Sequence, residues 1–312
     1  MIKDEPVAKQ SSNAGAGAVR PSPSRRGSLI EESRPLQTYL TSLDAMRPAL
    51  VPSGAPAFAF SPLNVMPKIA LGKLDVEQAS GGLVLSDGGG VRVAPTASPS
   101  EYYQTLLELL EDGRPLHLVP EPIAAHFKLG GYTVSKQHDE YVMRTEDVQT
   151  FPGKRNRQMR GNVNKARRLC EVEVFDGGDP AEYKALVKTW YRQNADLKFR
   201  TYDKTSIDWL LENWSELVSH VPDLLCLGLR HDAQLISLNM GCRLTDQHWT
   251  AYTQRFDRHA PVKHANMLGY QTLAHSFADC ALENDGTADT KTIREWKDRL
   301  VSHKISFYTV RK

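Results

Sequence analysis

The stretch Leu224 to Gln254, LLCLGLRHDAQLISLNMGCRLTDQHWTAYTQ, decides the fold. Leu224 to Leu229, Gln234 to Arg243 and His248 to Gln254 are apolar, strand-like runs. His231-Asp232-Ala233 and Thr245-Asp246-Gln247 are turns between them, so the stretch predicts an antiparallel three-strand meander. Trp249 and Tyr252 fall on opposite faces of the last strand, as core or pocket wall. Upstream, Glu171 to Phe175 alternates as a strand, Asp179-Pro180 opens a helix to Asn194, and Ser206 to Ser219 is a second helix. Trp190, Tyr191, Trp209 and Trp214 on these helices are packing residues. Downstream come a loop, Arg255 to His264, a helix from Ala265 to Leu282, a helix from Thr290 to Ser302 and a strand, Ile305 to Val310.

The first half has related elements. Leu36, Tyr39, Leu40, Leu43 and Met46 share one face of a helix from Pro35 to Arg47, which Pro48 ends. Ala57 to Phe60 reads as a strand. Gly82 to Ala94 is a hairpin around Asp87-Gly88-Gly89-Gly90. Ser98 to Asp112 is a helix stopped by Gly113, Leu116 to Val119 a strand, and Pro122 to Leu129 a helix. Tyr132 to Val134 and Asp139 to Arg144 are strands. Residues 1–34, rich in Ser, Pro, Gly, Ala and Arg, are expected to form a disordered tail; Arg25-Arg26-Gly-Ser28 within it fits a kinase target. The chain is therefore of α/β class, with α and β layers, mixed sheets and flanking helices. This order of elements resembles the N-acetyltransferase fold known as GNAT. The first half looks like a degenerate copy, which divides the chain into residues 35–150 and 151–312.

Composition narrows the class. The 312 residues are 40% hydrophobic and 24% charged, as in a globular protein of one large or two medium domains. No apolar run approaches the roughly 20 residues that span a bilayer, and the N-terminus lacks a hydrophobic signal core, so a cytoplasmic location is expected. Cys170, Cys226, Cys242 and Cys280 are widely spaced, which favours reduced core thiols over a disulfide framework or a zinc site. The histidines are scattered without metal-ligand spacing, so no metal is expected.

Charge is concentrated at Phe151 to Arg168, FPGKRNRQMRGNVNKARR. This segment holds seven cations and no acid in a chain of net charge +2, so the remainder is net negative. From Arg157 it reads as a helix with Met159, Val163 and Ala166 inward. Such a helix suits a polyanion; the alternative is a solvated face that serves solubility.

Residues 132 to 310 resemble the soluble catalytic domain of the phosphatidylglycerol lysyltransferases, a tandem GNAT family. The resemblance is carried by Tyr141-Val-Met-Arg-Thr-Glu-Asp147, Pro152-Gly-Lys154 and Arg160-Gly-Asn162-Val-Asn164-Lys165-Ala-Arg167-Arg168, which follow the family's strand, L-x-G-K-like turn and R-N-x-x-N-K-like helix, with Gly161 inserted. Leu300-Val-Ser-His303, after Lys297, falls where the family has a K-x-x-F-x-P-like ending. The resemblance implies transfer of an aminoacyl group from aminoacyl-tRNA to an amine or hydroxyl of a lipid, peptide or small molecule. Fem-type peptidoglycan aminoacyltransferases share the fold and the donor.

An aminoacyl ester is already activated, so the enzyme must orient a nucleophile and stabilise an oxyanion, with no resident cofactor. Lys154, Arg155, Arg157, Arg160, Asn164, Lys165, Arg167 and Arg168 are expected on the tRNA phosphates. Arg255, Lys263, Asn266 and Tyr270 are expected around the ester, with Lys297 as a second cation and Asp257 or His259 as proton acceptor. An acyl-CoA donor is the alternative, although Arg255 to Tyr270 carries one glycine where a pyrophosphate loop would carry several. A non-catalytic RNA- or anion-binding protein is a third reading.

Overall fold

The computed structural model describes residues 28–50, 58–195, 201–288 and 290–312. The chain begins with α1 (Leu29–Glu32) and α2 (Arg34–Leu50), followed by α3 (Pro62–Ala70). Strands β1 (Asp75–Gln78), β2 (Gly82–Ser86) and β3 (Val91–Pro95) then lead to α4 (Pro99–Glu111), β4 (Leu116–Pro120), α5 (Glu121–Leu129) and β5 (Thr133–Arg144). Next come α6 (Thr145–Thr150), α7 (Arg157–Leu169), β6 (Glu171–Val174), α8 (Ala181–Gln193), α9 (Thr201–Glu212) and α10 (Trp214–His220). The meander is β7 (Leu224–His231), β8 (Gln234–Arg243) and β9 (His248–Phe256). The chain closes with α11 (Ala265–Ser276), β10 (Leu282–Asn284), α12 (Lys291–Lys297) and β11 (Val301–Arg311).

The strands form one mixed sheet in the order β1-β2-β3-β4-β11-β5-β10-β9-β8-β7-β6. β11 lies antiparallel between β4 and β5, with Phe307 opposite both Pro120 and His138. The division at residue 150 therefore does not hold for the sheet, because the last strand of the second half completes the first. β10 joins the halves, antiparallel to β5 and parallel to β9.

Local signals explain most elements. Ser98 and Glu101 form a reciprocal capping box at α4. Pro62 occupies the first turn of α3, where its missing N–H costs nothing. Other readings change. Phe58–Phe60 is a 3-10 turn rather than a strand, because Ser61-Pro62 commits the chain to α3. The tail is helical from Leu29: Ser28 Oγ accepts from Glu31 N at 3.1 Å and donates to Glu216 at 2.6 Å, and Ile30 is buried. Residues 1–27 lie outside the described residues. Residues 132–144 give one continuous strand from Thr133, paired along β11. The expected helix to Leu282 stops at Ser276, and Leu282–Asn284 fills the slot between β9 and β5; no local pattern foretells such a short, fully paired strand.

Each face of the second half has its own core. Val163 and Ala166 of α7 and Leu268, Tyr270 and Leu273 of α11 pack with Leu227, Leu229, Ile236 and Trp249. On the other face α2, α3, α8 and α9 pack against Leu235, Leu238, Met240 and Cys242. Gly269 permits the close seating of α11: a Cβ there would lie 2.0 Å from Asn239 Nδ2, in a fully buried amide that donates to Ser237 Oγ at 3.1 Å. Gly161, on the outer face of α7, has nothing within 4 Å of such a Cβ. The same substitution should therefore act oppositely at the two sites. Gly269→Ala is expected to lower the unfolding free energy by about 1–3 kcal/mol through overpacking. Gly161→Ala is expected to raise it by up to about 1 kcal/mol through helix propensity. Denaturant midpoints of the two variants check both signs.

Candidate active site

A cleft of about 1490 Å³ opens on the α3 and α9 side of the sheet, where the two halves meet. Its floor is β5. The pleat sends His138 and Glu140 to one face, and both line the cleft. Phe58 and Asn64 of the α3 region form one wall and Tyr252 and Arg255 of β9 another. The β9 wall depends on a register shift: Met240 pairs with Thr253 but Gly241 with Ala251, which leaves Tyr252 as an extra residue. The bulge turns Arg255 to the same side as Tyr252. Tyr252 stacks on Phe58 with ring centroids 5.8 Å apart, and the Arg255 guanidinium lies 4.1 Å above the Trp190 ring.

Polar groups around the cleft are held in place. Arg255 pairs with Asp203, which also accepts from Tyr191 Oη at 2.8 Å. Lys304 contacts Asp298 at 2.9 Å and donates to Tyr141 Oη at 3.2 Å. Arg294, exposed at the rim, has no ion pair among the described residues. The glycine turn lines the cleft as well. His117 bridges Thr309 Oγ1 at 3.1 Å and Gly89 O at 3.3 Å, and a Cβ at Gly90 would lie 2.4 Å from its ring.

Of the residues singled out from sequence around the ester, Arg255 lines the cleft and the others lie elsewhere. Asp257 accepts from Gln193 Nε2 at 2.6 Å and from His259 N at 2.9 Å, so it caps its own loop and ties it to α8. His259 and Lys263 are exposed on that loop and Asn266 is half-buried. Tyr270 is fully buried, edge-on to Trp296 with centroids 5.5 Å apart. Lys297 is buried behind the cleft wall. Its Nζ donates to the carbonyls of Asp285 and Thr287 and lies 3.1 Å from Asp285 Oδ2.

The basic helix is likewise outside the cleft, on the opposite face of the sheet with α11. Arg160 donates to Phe151 O and Gly153 O and pins the turn before the helix. Arg167 donates to Asn164 Oδ1 at 2.9 Å and to Gln271 of α11. Arg157, Lys165 and Arg168 form an outward stripe that continues Lys154 and Arg155, all exposed, and Asn164 is exposed beside it. Among the described residues no carboxylate pairs with any of the seven cations.

The groups that sequence reasoning missed are His138 and Glu140. The sequence pattern begins a strand at Asp139 and leaves His138 outside it, and only the fold shows that this face of β5 floors a cleft.

The architecture, two halves sharing one mixed sheet around a cleft, is a tandem GNAT-like fold. Residues 93–280 match the family described as phosphatidylglycerol lysyltransferase, C-terminal, and the chain belongs to that family of acyl- and aminoacyltransferases. No curated protein matches by sequence. A conserved protein of unknown function from Bacteroides thetaiotaomicron is similar in structure, with a TM-score of 0.72 at 15% identity over 87% of this chain and 96% of that one. A C-terminal domain assigned to lysylphosphatidylglycerol synthetase from Agrobacterium fabrum gives 0.62 at 12% identity over 88% and 93%. FemX gives 0.61 at 9% identity over 87% and 95%. At these identities the likeness is one of fold. Among the described residues no helix is long and apolar enough to cross a membrane.

Behind the cleft, Glu283 and Asp285 share one buried cation, Lys297. Burial drives the Glu283 carboxyl well above its usual range, and Asp285 adds to the rise. Burial also raises Asp285, against the opposing pull of Lys297. A carboxyl whose folded pKa is raised favours the native state below its unfolded pKa and loses that contribution as pH rises through the folded value. Glu283→Gln keeps an acceptor for Ala251 N, which Glu283 Oε1 holds at 3.3 Å, and removes the titration. Its stability relative to the parent is expected to improve as pH rises from 5 to about 8, read as denaturant midpoints at each pH.

Proposed function

We propose that the protein moves an aminoacyl group from aminoacyl-tRNA to an amine or hydroxyl of a lipid, peptide or small-molecule acceptor. The observation that carries this reading is the cationic stripe of Lys154, Arg155 and α7, which pairs with no carboxylate among the described residues. Five exposed cations without acids hold a sugar-phosphate backbone by counterion release, without reading its sequence. Membership of a family named for lysyl transfer supports the aminoacyl group, and the volume of the cleft suits an ester end together with an acceptor. The stripe and the cleft lie on different faces of the sheet. The single-stranded end of an acceptor arm is flexible, so stem phosphates resting on α7 are compatible with an ester that reaches the cleft. No covalent intermediate is needed. The nucleophile attacks the ester carbonyl and the ribose oxygen leaves.

The test is incubation with a full set of charged tRNAs, scoring which loses its ester faster with enzyme and phosphatidylglycerol vesicles or an alanyl dipeptide as acceptor. Release of free thiol from acyl-CoA in place of ester loss would assign the other donor. Salt-sensitive RNA binding without turnover would leave a binding protein. Lys165→Glu with Arg168→Glu is the informative charge reversal, because neither side chain has a structural partner among the described residues whereas Arg160 and Arg167 do. The double variant is expected to keep its melting temperature and lose at least about tenfold in tRNA-dependent turnover, with a shallower salt dependence. Turnover equal to the parent at every salt concentration removes the stripe from the mechanism.

A further inference from the structure

We infer that His138 is the general base of the transfer and Glu140 its positioning residue; the assignment rests on the aminoacyl-transfer reading above. Three observations carry it. First, the cleft's floor presents an imidazole: His138 lines the cleft and its side chain keeps 26% of its surface exposed there. Its ring leans on Phe307 of β11, with centroids 5.8 Å apart, which limits its tilt.

Second, a buried carboxylate stands behind that ring. Glu140 is 2% exposed. Its Oε2 accepts from Phe58 N at 3.1 Å and from Asn284 Nδ2 at 3.0 Å. Its Oε1 faces His138 Nε2 at 3.7 Å. Two N–H donors on one oxygen fix the carboxylate without neutralising it. A buried anion is costly unless a cation stands beside it, and the group placed to become that cation is His138. At 3.7 Å the contact is longer than a hydrogen bond, as contacts of catalytic groups often are until a substrate complex forms.

Third, the donors come from different parts of the fold. Phe58 enters from the segment before α3, and Asn284 from β10, the strand that joins the two halves. The carboxylate is thus set where both halves must be assembled. Such an arrangement is more than a turn or a local cap requires. Several other charged groups that line the same cleft are occupied, Arg255 with Asp203, Lys304 with Asp298, and Asp139 with Lys136 at 2.7 Å, and Arg294, exposed at the rim, is a guanidinium that cannot accept a proton. None of the sequence-selected proton acceptors reaches the cleft, as Asp257 caps a loop and His259 lies outside the lining.

The acceptor's nitrogen or oxygen bonds to the aminoacyl carbonyl carbon while His138 takes its proton. The bond from that carbon to the ribose oxygen breaks. The imidazolium, steadied by Glu140, returns the proton to the departing oxygen. The base acts on the acceptor, so the same role holds whether the leaving group is a ribose oxygen or, with an acyl-CoA donor, a thiol.

The experiment compares parent, His138→Ala, His138→Gln and Glu140→Gln with charged tRNAs and, in parallel, with acyl-CoA, using phosphatidylglycerol vesicles and an alanyl dipeptide as acceptors. His138→Ala is expected to lose at least about 100-fold in kcat with KM for the donor within threefold, and added imidazole is expected to restore part of the rate in so open a cleft. His138→Gln should show the same loss with a melting temperature near the parent's. Glu140→Gln should lose kcat with donor KM unchanged, which a purely structural role would not produce. If the parent turns over charged tRNA and both His138 variants match it, the base assignment falls and the donor reading stands. If the parent uses acyl-CoA alone and the His138 variants lose kcat, the donor reading falls and the base stands. Turnover with neither donor overturns both.

Discussion

The insertion of Val301–Arg311 between β4 and β5 is the constraint on which the rest of the molecule depends. Without β11 the first half would present β4 and β5 as open edges, whose unpaired backbone groups would need other partners. With it, eleven strands share one ladder, and the cleft has a continuous floor running from the glycine turn to β9. The shared sheet also explains why His138 and Glu140, from the first half by sequence, face Tyr252 and Arg255 from the second.

A separation of tasks follows from the two faces of that sheet. One face carries α7 and α11, and the helix keeps a charged outer side because its inner side is fully used by Val163 and Ala166 in the core. The other face carries the cleft, whose charged groups are nearly all paired or hydrogen-bonded. An exposed cationic surface and a cleft of paired groups thereby have different dielectric surroundings. Exposed cations act at long range and are screened by salt. Held groups inside a cleft act at short range and are preorganised.

Much of this was legible in the sequence. The meander, α4 with its Ser98–Glu101 cap, the glycine-turn hairpin and α7 all announce themselves through periodicity and local turn chemistry. The family resemblance rested on α7 and the strand before it, and both lie within the matched residues 93–280. What failed to show was whatever depends on distant pairing. Leu282–Asn284 is a strand because β9 and β5 flank it, and β11 crosses to the first half because a slot waits there. Lys297 looked like a free cation at the end of a helix, but its surroundings, Asp285 and two carbonyls, come from a segment with no sequence signal of its own. The loop after β9 is rich in charge, but two of its charged groups serve the loop itself: Asp257 caps it, and Arg258 donates to Gln193 O at 3.2 Å. His138 passed unnoticed because an isolated histidine on a strand has no pattern. Its meaning lies in a carboxylate two residues away whose other contacts come from Phe58 and Asn284.

The glycine turn that lines the cleft has a further meaning. The imidazole of His117 occupies the space that any side chain at position 90 would claim, and through its two ring nitrogens it fastens the hairpin tip to the central strands. Glycine at position 90 is thus what lets the imidazole sit there. Any larger residue would displace the ring, and with it the tie between the hairpin and β11.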